Sequence, residues 1–120
     1  MTAQDIIEAV KEIKPNVYSD SKMLVWLNEA EQDIHEVLNK YKKEPEDFLP
    51  HESTADELLL GEARQNIYIY YLCSQIDYAN AEINLYNNDV SVYTQLFEDF
   101  AKLHRRANMP EKNTKITGGM

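Results

Sequence analysis

The segment from Gly61 to Asn87 constrains this chain most, because at helical spacing it is apolar on two sides. Ala63, Ile67, Tyr70, Ser74, Tyr78, Ala81 and Leu85 fall on one stripe; Tyr68, Leu72, Ile76, Ala79, Ile83 and Tyr86 fall on the other. One helix over the whole segment would be about 39 Å long. A helix that is apolar on two sides must be covered on both, by the rest of its own chain or by another copy of it. Three further segments carry helical periodicity, and the few glycines and prolines lie outside the helical runs. The pattern predicts an all-α fold: a small bundle of about four main helices with a long central loop and a flexible C-terminal tail.

The first helix is expected from Ala3 to Lys14, with Thr2 as N-cap, Asp5 closing a weaker form of the capping box, and Ile6, Val10 and Ile13 on one face. Pro15 ends it. The second opens at "YSDSKM", where Ser19 or Ser21 can cap, and carries Leu24, Leu27, Ile34, Leu38 and Tyr41 on its inner stripe. Its "NEAEQD" run reads as a fully solvated face. The turn "NND" at 87–89 is expected to reverse the chain into a fourth helix, capped by Asn88 or Asp89, with Tyr93, Leu96, Phe97, Phe100, Leu103 and Ala107 facing inward. Between the second and third helices lies "KKEPEDFLPHESTADELLLGE", long for a compact helical domain and therefore either functional or mobile. Within it Phe48, Leu49, Leu58, Leu59 and Leu60 need cover from the domain body or from a partner.

Composition narrows the function classes. The net charge of −9 repels phosphate backbones, so nucleic acid is a poor first partner. "KLHRR" at 102–106 sits where cations meet the negative end of a helix dipole. The lone Cys73 has no intramolecular disulfide partner and lies in an apolar run, as a packed thiol does. No stretch approaches the roughly 20 apolar residues of a membrane span, and the first residues do not look like a signal peptide. A chain of the cytosol with no membrane partner is expected.

Signs of catalysis are sparse. His35, His51 and His104 do not complete the Glu-x-x-His spacing of helical di-metal sites, since Gln32 and Ala101 stand at the required positions. No glycine-rich phosphate loop or serine elbow is present, and no basic neighbour activates Cys73. No metal, cofactor or catalytic residue is expected. Asp77, between Ile76 and Tyr78, is the conspicuous ionisable group: either a general base with a raised pKa or a structural carboxylate that accepts from a tyrosine or pairs with an arginine such as Arg105 or Arg106. The second is favoured, with Asp77, Gln75, Asn80 and Arg105 as a structural polar core. Tyr68, Tyr71 and Tyr86 join the five loop residues above as candidate interface positions, their rings covered and their hydroxyls at the edge.

The stretch "IYIYYLCSQIDYANAEINLYNN" followed by "YTQLFEDFAKLHRRANMP", with "KPNVYSDSKMLVWLNEAEQDIHE" near the start, resembles the head–tail connector proteins of long-tailed bacteriophages and prophages, also called adaptors or head-completion proteins. The likeness runs to about Pro110; "QIDYANAE", "YNN" and "NMP" carry it by their order and spacing. It implies a helical connector domain over 1–110 and a flexible tail over 111–120. It also implies a structural protein of the virion, assembled in the host cytoplasm, that binds the portal protein after DNA packaging and receives the tail or a stopper protein. Copies, about twelve, would close into a ring by heterologous contacts, although the chain alone could be a monomer. At −9 each they would surround passing DNA with like charge, without specific binding. The rival expectations are a helical regulatory dimer with the tyrosine-rich helix as its seam, an enzyme built on Asp77 and nearby tyrosines in a closed cavity, and a DNA-binding packaging subunit, against which the acidic balance and the lack of a basic recognition helix count.

Overall fold

A computed structural model describes residues 1–108; the tail over 111–120 and the boundary at 110 lie outside the described residues. Among the described residues there are four α-helices, α1 (Ala3–Ile13), α2 (Asp20–Asn39), α3 (Gln65–Ala79) and α4 (Ile83–Ala107), with a 3₁₀ turn over Glu62–Arg64 leading into α3. The fold is all-α.

The start of α1 satisfies all of its otherwise orphaned amides. Thr2 Oγ1 accepts from the Asp5 N–H at 3.2 Å while Asp5 Oδ2 accepts from the Thr2 N–H at 2.9 Å, completing the capping box. The Ile6 N–H reaches Thr2 O at 3.4 Å, and the central loop supplies the rest: Asp56 O accepts from Ala3 (3.1 Å) and Thr54 O from Gln4 (2.7 Å). The loop therefore caps the first helix. Ile6, Ile7 and Val10 are buried, whereas Ile13, expected to face inward, is 62% exposed because it lies in the last turn, past the core.

Ser19 caps α2 through the Lys22 N–H at 3.1 Å. The buried face is Met23, Trp26, Leu27, Ala30, Glu31 and Ile34. It is rotated from the expected stripe: Leu24 and Leu38 are only partly covered, and Tyr41 falls beyond the helix end. The "NEAEQD" run is not fully solvated, since Ala30 and Glu31 are both buried.

The single long third helix does not form. It breaks at Asn80–Ala81–Glu82, where the Glu82 N–H reaches back to Asp77 O at 2.9 Å and the Ala81 N–H to Tyr78 O at 3.0 Å. These two bonds are the Schellman pattern, and Ala81 holds the left-handed conformation (φ 58°) that glycine usually supplies. The expected reversal at 87–89 is instead helix, inside α4. Folding back here sets an antiparallel seam with a constant register: Tyr78 meets Tyr86 (5.5 Å between ring centroids), Tyr71 meets Tyr93 (5.0 Å), and the Arg64 guanidinium lies over Phe100 (5.8 Å). Each step of seven residues back along α3 is matched by seven forward along α4, the repeat of a coiled-coil seam. The three contacts along this seam offset the cost of the left-handed alanine, about 1 kcal/mol.

The core is built by α1, α2 and α3 together with Leu58 and Leu60 of the loop; Phe100 is the one buried residue of α4. α4 thus lies along the outside of α3.

Candidate functional site

Two buried polar centres hold the elements together. The first is Glu31, with no exposed surface, in the middle of α2. Its Oε2 accepts from the Leu59 N–H at 2.9 Å and lies 2.7 Å from His51 Nε2, and its Oε1 accepts from the Tyr68 hydroxyl. The same hydroxyl accepts from the Leu60 N–H at 3.1 Å. One carboxylate therefore joins α2, α3 and the loop. Asn28, a turn earlier, clamps the backbone of His51 on both sides, at 3.0 Å to its carbonyl and 2.8 Å from its N–H. Burial first, and then the charge and hydrogen bond of Glu31, push the Tyr68 phenol far above its ordinary range, so it stays protonated as a donor.

The second centre joins α1, α3 and α4. Asp77, fully buried, accepts through Oδ1 from Lys14 at the end of α1; the same ammonium lies 3.2 Å from Asp89 Oδ2 on α4. Asp77 Oδ2 has no donor. Burial, and next the neighbouring Asp89 carboxyl, raise Asp77 to about 6, with Lys14 opposing. The expected arginine partner is corrected: Arg105 is exposed near the far end of α4, because the chain turns at Asn80–Glu82 and brings Asp89 and Lys14 to Asp77 instead. Asn80 is also exposed and Gln75 half-buried, so of the proposed polar core only Asp77 is central. Asn80 has a separate use, accepting from the Tyr18 hydroxyl at 2.6 Å.

A groove of about 270 Å³ beside this centre is lined by Lys14, Asn66, Tyr70, Cys73, Asp89 and aliphatic side chains, and Asp77 is not among its walls. Burial, and then Asp89, push the Cys73 thiol up to about 11, away from nucleophilic use. Among the described residues no group of three or more His, Cys, Asp or Glu could hold a metal ion, and no helix is long and apolar enough to cross a membrane.

The candidate interface residues separate into two sets. Leu58, Leu60 and Tyr68 are corrected to core positions, since the loop folds over α2 and α3 and buries them within the chain. Tyr71 is half-buried with its hydroxyl on Glu29 at 2.8 Å. What stays open is a loop patch of Leu49 (80% exposed) and Leu59 beside Phe48, whose ring packs on His35 at 5.4 Å. A second open patch lies at the α3–α4 turn, where Tyr78 and Ile83 are exposed beside the half-buried Tyr86, and Leu85 shares a groove wall with Ile13. Sequence reasoning missed Ile13, Tyr78, Ile83 and Leu85 as surface residues because it assigned them to covered stripes. Comparison with family models, with curated proteins and with solved structures finds no match for this chain.

Proposed function

We propose that this chain is a structural virion assembly protein that binds the portal ring after DNA packaging, joins further copies in a ring, and receives the tail or a stopper protein. The observation that carries the proposal is the pair of unlike apolar patches, at the loop and at the α3–α4 turn. They sit by His35 and by the Tyr18–Asn80 contact, towards opposite ends of α2 and roughly 20 Å apart along it. A head-to-tail ring needs two different surfaces on each subunit, whereas a two-fold dimer needs one that matches itself. The acidic balance of the chain suits a channel through which DNA slides without adhering.

Co-sedimentation of the purified chain with assembled rings of the portal protein encoded beside it tests the proposal. Saturation at roughly one chain per portal subunit is the expected result. A chain that stays in the supernatant with competent rings, and sediments alone as a dimer, would replace the connector with the helical regulatory dimer.

A further inference from the structure

Along their C-terminal halves α2 and α4 run in the same direction without closing on each other, and a continuous groove lies between them. It consists of two hollows of about 290 and 270 Å³ that share Val37 and Lys40. The floor is Val37, Tyr41, Phe97 and Ala101, all half-buried. The rim is charged and ordered: Asp33 and Glu36 on α2 and Glu98 on α4 come first, and Lys40, Lys102 and Arg105 follow towards the C-terminal end. None of these six forms an ion pair among the described residues. At the acidic end negative charge accumulates. Burial, and then Glu36 and Glu29, raise the Asp33 carboxyl above its ordinary value, with no cation opposing them.

We propose that this groove receives an amphipathic α-helix of a partner protein, apolar on its docked stripe, basic in its N-terminal turns and acidic in its C-terminal ones. The apolar floor between two helices is the seat that such a helix takes. From Phe97 to Arg105 the groove follows α4 for about 12 Å, enough for two turns of a docked helix. The rim fixes its direction. The positive end of a helix dipole belongs over Asp33 and Glu36, and the negative end over Lys102 and Arg105, so the docked helix runs parallel to α2 and α4. Basic residues in its first turns and acidic residues in its last add to the same preference. The proposal does not depend on the connector assignment, since any partner with this helix fits.

The test uses the full chain and two labelled synthetic peptides of about four turns. Both carry leucines at helical spacing; one has arginines in its first two turns and glutamates in its last two, and the other has the order reversed. Fluorescence anisotropy should show the first binding at least about tenfold more tightly, with the methyl resonances of Val37 and Ala101 shifting on its addition. The Asp33→Lys, Glu36→Lys double variant, which makes both ends of the rim basic, should abolish the preference between the peptides, a relative readout that a modest loss of stability leaves intact. Equal binding of the two peptides, an unchanged preference in the double variant, or no binding of either at about 1 mM would overturn the proposal. So would shifts of the Val37 and Ala101 methyls on deletion of residues 109–120 from the free chain, which would make the chain's own segment the occupant.

Discussion

Replacing Tyr68 by Phe removes one oxygen and leaves the ring in place, which isolates the contribution of the buried hydroxyl. That oxygen donates to Glu31 and accepts from the Leu60 N–H at 3.1 Å, and Tyr68 is 0% exposed. In the Tyr68→Phe variant the Leu60 amide and Glu31 Oε1 both lose their partner, and water cannot reach the site without opening the loop. An orphaned buried polar group costs about 1–3 kcal/mol, more when charged, so the pair amounts to about 3 kcal/mol. Glu31 keeps Leu59 and His51 through its other oxygen, which holds the cost near that value. For a domain of this size about 3 kcal/mol corresponds to a fall in Tm of roughly 10–20 °C. Far-UV circular dichroism melts at pH 7 measure it, and limited proteolysis across 51–60 reports whether the loop opens first. A second variant, Glu31→Gln, makes the test specific: its cost should shrink when Tyr68→Phe is already present, because the two groups serve one network. A Tm within about 3 °C of the parent, or costs that add within about 0.5 kcal/mol, would refute the account of Glu31 and Tyr68 as a coupled tie.

The turn at Ala81 gives the opposite sign. Ala81→Gly removes the left-handed strain and should stabilise the chain by about 1 kcal/mol in urea titrations; a loss of stability would mean that the Schellman turn is not the structure in solution. Asp77 makes stability depend on pH: its folded value, about 6, lies above the unfolded value near 3.9, so protonation favours folding. This contribution is complete below pH 4 and is lost as pH rises through 6, on the order of 2–3 kcal/mol. Asp5 and Asp20, lowered by their hydrogen bonds to Thr2 and Lys11, lose their stabilisation below pH 4, so the urea midpoint should peak between pH 4 and 6. In Asp77→Asn the limb from pH 5 to 7 should flatten; a slope that persists would assign the dependence elsewhere. Leu49→Asp and Leu85→Asp, at exposed positions, should change stability by less than about 0.5 kcal/mol while weakening co-sedimentation with portal rings; undiminished binding in both would remove the two patches as interface.

Much of the fold was legible because local chemistry and packing agree over most of its length. Thr2 with Asp5 and Ser19 mark helix starts by side chains that reach amides a few residues away, and periodicity marks the helices themselves. The break at 80–82 was not legible because the residue that turns left-handed is alanine, a strong helix former, and the preference of the seam overrides it. A signal was nevertheless present: Tyr78 and Tyr86, Tyr71 and Tyr93, and Arg64 and Phe100 are placed symmetrically about Glu82 in steps of seven apart from the turn itself. Asp77 stood out as a carboxylate in an apolar helix, but its partner depended on where the chain turned, and a helix continued to 87 leaves Asp89 in the wrong place to meet Lys14. Glu31 was concealed by its acidic neighbours. Its signal lay in spacing, since Leu27, Glu31 and Ile34 recur at four and three residues and therefore share a face.

Three tyrosine hydroxyls around α3 are used inside the chain, and this bears on where a partner can bind. Tyr18 donates to Asn80, Tyr71 to Glu29 and Tyr68 to Glu31. These contacts are successive rungs between α2, with the residue leading into it, and α3, and their order shows that the two run antiparallel. Burial first, then Glu29, raise the Tyr71 phenol well above its usual range, and burial pushes Tyr93 up to about 12, so both phenols stay neutral. The hydroxyls of Tyr68 and Tyr71 on α3 are thus engaged within the chain, and that helix packs against α1, α2 and α4. A partner must instead engage surface that the fold leaves uncovered. Those surfaces are the leucines of the loop, the turn between α3 and α4, and the charge-ordered groove between α2 and α4. The first two are apolar and unlike each other, as successive subunits of a ring require, while the third has a charge order that selects one helix direction. Mutating the groove and mutating the two patches should consequently impair different binding events.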